Sequence, residues 1–290
     1  MLKIAIPKGS LEEKTLALFR DADLEITRES RNYYCRVNDP RVAEVRLLRP
    51  QEIPGFVAEG YFDLGISGYD CIRENDADVE IIAELPFSRA TSRPVKLVVA
   101  VPEESGIERV EDVPDGARVT TEFPNLTRRF FEEHGKAVRV YYSHGATEAK
   151  VPDIMDVVVD LTETGETLRR NRLKIIATIL ESTTRLFANK QSYADPEKRK
   201  AIDEIATLLL GVIEARGRVL LSMNVPADKL ERVIQALPAM KRPTISQLYN
   251  SDYYELVTVA EKATVNILLP QLKSLGAEDI LEIPISKIIK

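Results

Sequence analysis

The chain has 290 residues, 44% hydrophobic and 30% charged, which is enough for two or three domains with a sizeable core. Its net charge of -6 argues against a nucleic-acid binder, whose contact face carries excess cations, so basic residues that meet polyphosphates must be concentrated locally. Two cysteines, Cys35 and Cys71, make no disulfide framework and point to a reducing, cytoplasmic setting; the apolar start is too short for a signal peptide, and no segment approaches the roughly 20 apolar residues of a membrane span.

Residues 2–6 alternate as a strand and meet Pro7-Lys8-Gly9-Ser10, with Ser10 predicted to cap an amphipathic helix carrying Leu11, Leu16, Leu18 and Phe19. Lys8 then sits at the strand's C-terminal end, where open α/β sheets hold ligands, although a solvated lysine fits the pattern equally. Residues 36–50 alternate as a pair of strands closed by Arg49-Pro50, residues 51–60 read as a short helix, and Phe62 to Asp70 as strand, turn and helix start. Asp70 suits either a ribose or amino-group contact or a plain helix N-cap, and Cys71 reads as packing. The pattern breaks over 87–94 and restarts as a buried strand over 95–101, which marks a crossing into a second lobe. There, 116–121 is a strand, Asn125 is the expected cap of the helix that follows, and 138–142 is a third strand. His134 and His144 lack the partner spacing of a zinc site.

The β-branched run 157–159 enters Asp160-Leu161-Thr162-Glu163-Thr164-Gly165-Glu166-Thr167-Leu168 and a helix over 168–173. Hydroxyls and backbone N–H groups around Gly165 can converge on a phosphate, while Glu163 and Glu166 suit ribose hydroxyls or Mg²⁺. A Thr-rich N-cap with two solvated acids accounts for the same residues. The strand over 174–180 is expected to return to the first lobe, followed by a charged helix from 194. From Gly217 the order becomes βαββαβ, a ferredoxin-like arrangement with its last strand over 280–289 and a sheet face that needs covering.

The stretch D-L-T-E-T-G-E-T-L resembles the phosphoribosyl-pyrophosphate loop of the ATP phosphoribosyltransferases of histidine biosynthesis. I-P-K-G-S-L, L-R-P-Q-E-I-P with D-L-G-I-S-G-Y-D, T-E-F-P-N-L-T-R-R-F-F, G-A-T-E-A, R-P-T-I-S and L-G-A-E-D-I resemble the same family in the same order. Between G-A-T-E-A and the loop the chain departs from the pattern, with Ile154-Met155 where the family usually has a Gly. The resemblance implies an α/β core of two lobes, like the type II periplasmic-binding proteins, plus a ferredoxin-like regulatory domain as in the long form. Lobe I would comprise 1–92 and 174–216, lobe II 93–173, and the regulatory domain 217–290.

It further implies that N1 of ATP is joined to C1 of phosphoribosyl pyrophosphate with loss of pyrophosphate, Mg²⁺ offsetting the leaving group's charge. Thr164, Gly165, Glu166, Thr167 and Leu168 would hold the 5-phosphate, with Asp160 and Glu163 near the ribose and Lys8, Arg49, Asp70 and Glu148 as cleft candidates. Histidine would act as inhibitor at a site including Asn224, Thr244 and Ser246, in a dimer or hexamer of this chain. A solute-binding protein would ordinarily carry an export signal, and a transcription regulator a DNA-reading helix and basic patch; the sequence shows neither.

Overall fold

The computed structural model describes residues 1–28, 34–87, 94–237 and 242–290, which form two compact units, Met1–Ala206 and Thr207–Lys290. The first runs through β1 (Leu2–Pro7), α1 (Glu12–Asp21), β2 (Ile26–Arg28), β3 (Tyr34–Val37), β4 (Val42–Leu48), α2 (Ile53–Ala58), β5 (Leu64–Gly68), α3 (Tyr69–Glu74) and β6 (Val79–Leu85). It continues with β7 (Val95–Pro102), β8 (Arg118–Thr121), α4 (Pro124–Glu133), β9 (Arg139–Tyr142), β10 (Val157–Thr162), α5 (Glu166–Arg170) and β11 (Leu173–Ser182). Then come β12 (Thr184–Asn189), α6 (Lys190–Ala194) and α7 (Pro196–Ala215), whose second half belongs to the second unit.

Two sheets make two lobes. The first has the order β2-β3-β4-β1-β5-β12-β6, with β4, β1 and β5 parallel; the second has the order β11-β7-β10-β8-β9, with β10, β8 and β9 parallel. A strand buried on both faces reads as a continuous apolar run instead of an alternation, and β7 shows this: Leu97, Val98, Val99, Ala100 and Val101 are all buried in the second sheet. The chain crosses between the sheets twice, as the periplasmic-binding-protein resemblance implies. The first crossing lies between β6 and β7, and its residues 88–93, which include the expected lobe boundary at 92/93, lie outside the described residues. The second requires a correction: β11 pairs antiparallel with β7 in the second sheet, so the chain returns to the first sheet only at Thr184, not at 174. The apolar run of β11 can complete either sheet, and pairing, which its composition does not encode, decides between them.

The second unit contains β13 (Arg218–Pro226), α8 (Leu230–Ala236), β14 (Thr244–Gln247), β15 (Tyr253–Glu261), α9 (Lys262–Leu275) and β16 (Glu278–Pro284), the βαββαβ order expected. Its sheet order, β14-β15-β13-β16, is ferredoxin-like. Val219, Leu221, Met223 and Val225 alternate onto the helix-covered face and pack with Val233, Leu256, Val265, Leu268 and Leu272. Two boundaries differ from expectation. The last strand stops at Pro284, and the unit begins at Thr207 rather than 217, because the chain end folds back on α7: the Ile288 N–H donates to Gly211 O at 2.9 Å and Lys290 pairs with Glu214 at 2.6 Å.

Candidate active site

In the first lobe, the C-terminal ends of parallel β1, β4 and β5 bring Lys8, Arg49 and Asp70 to one edge of the sheet. The Lys8 N–H donates to Leu48 O at 2.7 Å, which fixes the two strand ends side by side, and both cationic residues are exposed. Two exposed cations thus stand at the C-terminal ends of adjacent strands. Ser10 does not cap α1: Leu11 occupies the N-cap position without a side-chain bond, and the Glu12 carboxylate instead accepts the Gly9 N–H at 3.1 Å. Gly9, at φ +90, turns the chain so that this carboxylate can reach back.

Asp70 is not the N-cap of α3, since Gly68 holds that position. The Asp70 side chain is 4% exposed and accepts the Ser182 hydroxyl at 2.5 Å, while Ser182 Oγ accepts the Asp70 N–H at 3.0 Å. Ser182 ends β11 at the second crossing. Asp70 therefore ties the first lobe to the crossing, in a cavity of about 30 Å³ lined from the first lobe by Ser10, Pro50 and Gly68 and from the second by Val95 and Leu161. Cys71 is buried, as expected of packing.

In the second lobe, β10 ends in the loop that leads to α5. Gly165 has φ +73 and is buried, not part of a free surface loop: a Cβ there would lie 3.4 Å from Ile175 Cδ1. The loop holds its own donors in place, the Thr162 hydroxyl accepting the Gly165 N–H at 2.8 Å and Thr164 the Glu166 N–H at 3.3 Å. Glu166 pairs with Arg170 one turn on, and Thr167 is exposed. The helix begins at Glu166 and ends at Arg170, earlier than the expected 168–173, because Leu173 is drawn into β11. Leu168, 3% exposed, packs with Val98, Ala100, Val158 and Leu173; its side chain anchors the loop and does not face a ligand.

Around Asp160 the second lobe gathers carboxylates. Burial pushes the Asp160 carboxyl above the usual range, the Leu161 N–H at 2.7 Å offsets part of this, and the nearby charges of Glu148 and Glu122 push it further. The buried Thr147 hydroxyl also bonds it. Glu122 and Thr147 are residues that the sequence does not single out, although both lie within the quoted stretches T-E-F-P-N and G-A-T-E-A. Their strands are far apart in sequence, and only parallel pairing of β8, β9 and β10 places their ends together. Among the described residues no group of three or more His, Cys, Asp or Glu side chains is disposed to hold a metal. His134 is bonded to Phe130 O at 2.7 Å and His144 packs against Tyr142.

In the second unit, strand register brings the remaining candidates onto the sheet face away from the helices. Ser246 and Asn224 both stand opposite Glu255, on either side of it, and Thr244 stands opposite Val257. Asn224 donates to Asp279 at 3.0 Å, and Ser222 donates to Glu255 at 2.7 Å. Glu255, which register places between Asn224 and Ser246, is a residue that nothing in its local sequence distinguishes.

Two α/β lobes crossed twice by the chain, with ligand-type loops at the ends of their parallel strands, define a two-lobed core of the type II periplasmic-binding-protein class, here with a ferredoxin-like domain appended. Residues 49–211 match the family model for ATP phosphoribosyltransferase, and residues 215–287 match that for the HisG C-terminal domain. The chain is 49% identical to an ATP phosphoribosyltransferase of Pelotomaculum thermopropionicum and 48% identical to one of Desulforudis audaxviator, covering 99% of both chains in each case. Among solved structures it is similar to the ATP phosphoribosyl transferase (HisG:HisZ) complex from Thermotoga maritima, at 30% identity and a TM-score of 0.64, covering 74% of this chain and 99% of that one. The chain belongs to the ATP phosphoribosyltransferase family, in the form that carries the C-terminal domain, and is an enzyme of the pentosyl-transferring class.

Proposed function

We propose that the enzyme catalyses the first step of histidine biosynthesis, joining N1 of ATP's adenine to C1 of phosphoribosyl pyrophosphate. The adenine N1 lone pair forms the new bond, the C1–O bond breaks with its electron pair leaving on pyrophosphate, and the adenine amino group gives up a proton. Displacement at an anomeric carbon develops positive charge on the sugar, so the protein's task is orientation and electrostatics more than nucleophilic attack. Mg²⁺ enters with the pyrophosphate as part of the substrate and offsets its charge.

The observation that carries this reading is the loop of 160–168 closing β10 beside the carboxylates of Asp160, Glu148 and Glu122. In it, the Gly165 and Glu166 N–H groups, bonded here to the Thr162 and Thr164 hydroxyls, would turn to the 5-phosphate. Thr167 adds a hydroxyl, and Leu168 keeps the loop seated. Asp160 and Glu163 are assigned to the ribose, where ionised carboxylates accept hydroxyl protons and favour the developing positive charge. Glu148, which like Glu122 lies near Asp160, is the acceptor assigned to the adenine amino proton. Lys8 and Arg49 are assigned to the phosphates of ATP or the departing pyrophosphate. The test is pyrophosphate release on mixing the protein with ATP, phosphoribosyl pyrophosphate and Mg²⁺; no release above the single-substrate controls would refute the reading.

The second unit is assigned to feedback inhibition by histidine. An amino-acid ligand needs acceptors for its ammonium and imidazole N–H and donors for its carboxylate. Glu255 between Asn224 and Ser246 offers the anionic acceptor, and Asn224, Ser246 and Thr244 offer donors on the same face. The Thermotoga structure is a HisG:HisZ complex, and its chain corresponds to 74% of this one, which supports the view that the C-terminal domain here replaces a separate regulatory partner. The sheet face opposite the helices also carries Leu220, Val257, Val259, Leu281 and Ile283, with Leu281 56% exposed, which supports association with further copies of the chain.

A further inference from the structure

The stretch T-E-F-P-N-L-T-R-R-F-F contributes Glu122 to the carboxylate group, but its other polar residues have no part in the reaction proposed above. The sequence predicts Asn125 as the cap of α4. It is not: Phe123 holds the N-cap position and offers no side-chain acceptor, so the first N–H groups of this ten-residue helix need partners from elsewhere. They find them across the lobe boundary. The Glu74 carboxylate, at the C-terminal end of α3 in the first lobe, accepts the Asn125 N–H through Oε1 and the Leu126 N–H through Oε2, each at 2.9 Å. Two more bonds run the same way: Asn125 Nδ2 donates to Glu74 O at 3.1 Å, and the Arg129 guanidinium donates to Arg73 O at 2.5 Å.

The other end of α3 is also tied to the boundary. The Tyr69 N–H donates to Thr183 O at 3.0 Å, and Asp70 and Ser182 exchange the pair of bonds already described. Asn75 anchors the helix's C-terminal end in its own lobe through Gln51 O at 2.9 Å. A six-residue helix thus meets the second lobe at one end and the crossing strand at the other.

We propose that α3 is a strut that sets the separation of the two lobes, and that Glu74 is a positioning residue acting through it. The cap that α4 lacks in its own sequence is available only when the lobes stand in this arrangement, so the helix's unsatisfied donors favour that arrangement over a wider one. The lobe-end groups, Lys8 and Arg49 on one side and Asp160 and Glu148 on the other, are then brought to working separation before substrate arrives. In its kinetic consequence this rests on the transferase reading above.

The experiment compares wild type with Glu74→Gln, which keeps the side chain's volume and one acceptor, and with Glu74→Ala and Asn125→Ala. Amide exchange is followed without substrate at Tyr69 and Thr184, whose N–H groups bond at the crossing and lie at the far end of α3 from the substitution. Loss of the cap alone would speed exchange only at Asn125 and Leu126. A strut predicts faster exchange at Tyr69 and Thr184 as well, together with KM for both substrates raised about five-fold and kcat little changed, since a lost cap of ordinary strength lowers the competent population by about that factor. Glu74→Asp should recover part of both effects. Unchanged exchange at Tyr69 and Thr184 in a folded Glu74→Gln protein overturns the strut. Altered exchange with unchanged KM values overturns its positioning role. A wild-type protein that releases no pyrophosphate refutes the transferase reading and leaves the exchange measurement to decide the strut.

Discussion

Gly165 is the position where a single side chain tests the loop most directly. Its φ of +73 is strained for any β-branched residue, and an added Cβ meets Ile175 at 3.4 Å. Gly165→Val should cost about 1–3 kcal/mol of backbone strain, leave the fold intact, and abolish phosphoribosyl-pyrophosphate binding. Calorimetric titration of the folded variant decides this, and wild-type affinity would remove the phosphate-loop assignment. Asp160 makes the opposite trade. Its folded pKa is raised, so the stability its protonation confers is present below the unfolded carboxylate value and lost as pH rises through the folded one. At neutral pH a buried, like-charged carboxylate is a cost, and Asp160→Asn should raise Tm by about 2–4 °C while lowering kcat at least about a hundred-fold. A variant that is destabilised, or that keeps full activity, contradicts this account.

Among the secondary-structure elements, those of the first lobe converge on Asp63. It precedes β5 and accepts the Lys3 N–H at 2.8 Å from β1, the Ser192 hydroxyl at 2.7 Å from α6 and Lys198 Nζ at 2.7 Å from α7. Burial alone would raise its carboxyl pKa, but these three partners together hold it below the usual range. The sign follows from that depression: the contribution is present above the unfolded carboxylate value near 3.9 and lost as pH falls through the folded one. Asp63→Asn should therefore lower stability at pH 7 by about 1–3 kcal/mol, with the gap to wild type closing below about pH 4. Denaturant unfolding at the two pH values measures it, and a gap that persists at low pH would show that packing rather than charge is responsible.

For the molecule entire, an apolar sheet face opposite the helices and a second compact unit outside the catalytic lobes lead to linked expectations. Sedimentation should show an oligomer at micromolar concentration, and a monomer would contradict the covering argument. Histidine should lower the rate of intact enzyme at fixed substrate by favouring an arrangement with lower activity, and removal of residues 217–290 should abolish that sensitivity. Unchanged rate and no binding at saturating histidine would end the regulatory assignment.

Features that rest on local chemistry were legible in the residues alone. The apolar run entering D-L-T-E-T-G-E-T-L located the loop, because a β-branched run that gives way to threonines, acids and a glycine ends a strand in a turn. The alternation after Gly217 identified the ferredoxin-like order, because period-two and period-3.6 patterns are readable without partners. Pairing and borrowing were settled by the folded chain. The sheet that β11 joins, the gathering of Glu122 and Glu148 near Asp160, the placing of Glu255 between Asn224 and Ser246, and the capping of α4 by Glu74 from the other lobe all depend on contacts between distant segments. Asn125 and Ser10 look like caps in sequence, yet neither holds the N-cap position: at α4 the Glu74 carboxylate of the other lobe accepts the Asn125 and Leu126 N–H groups, and ahead of α1 the Glu12 carboxylate accepts the Gly9 N–H. Local composition does not distinguish these arrangements from an ordinary cap.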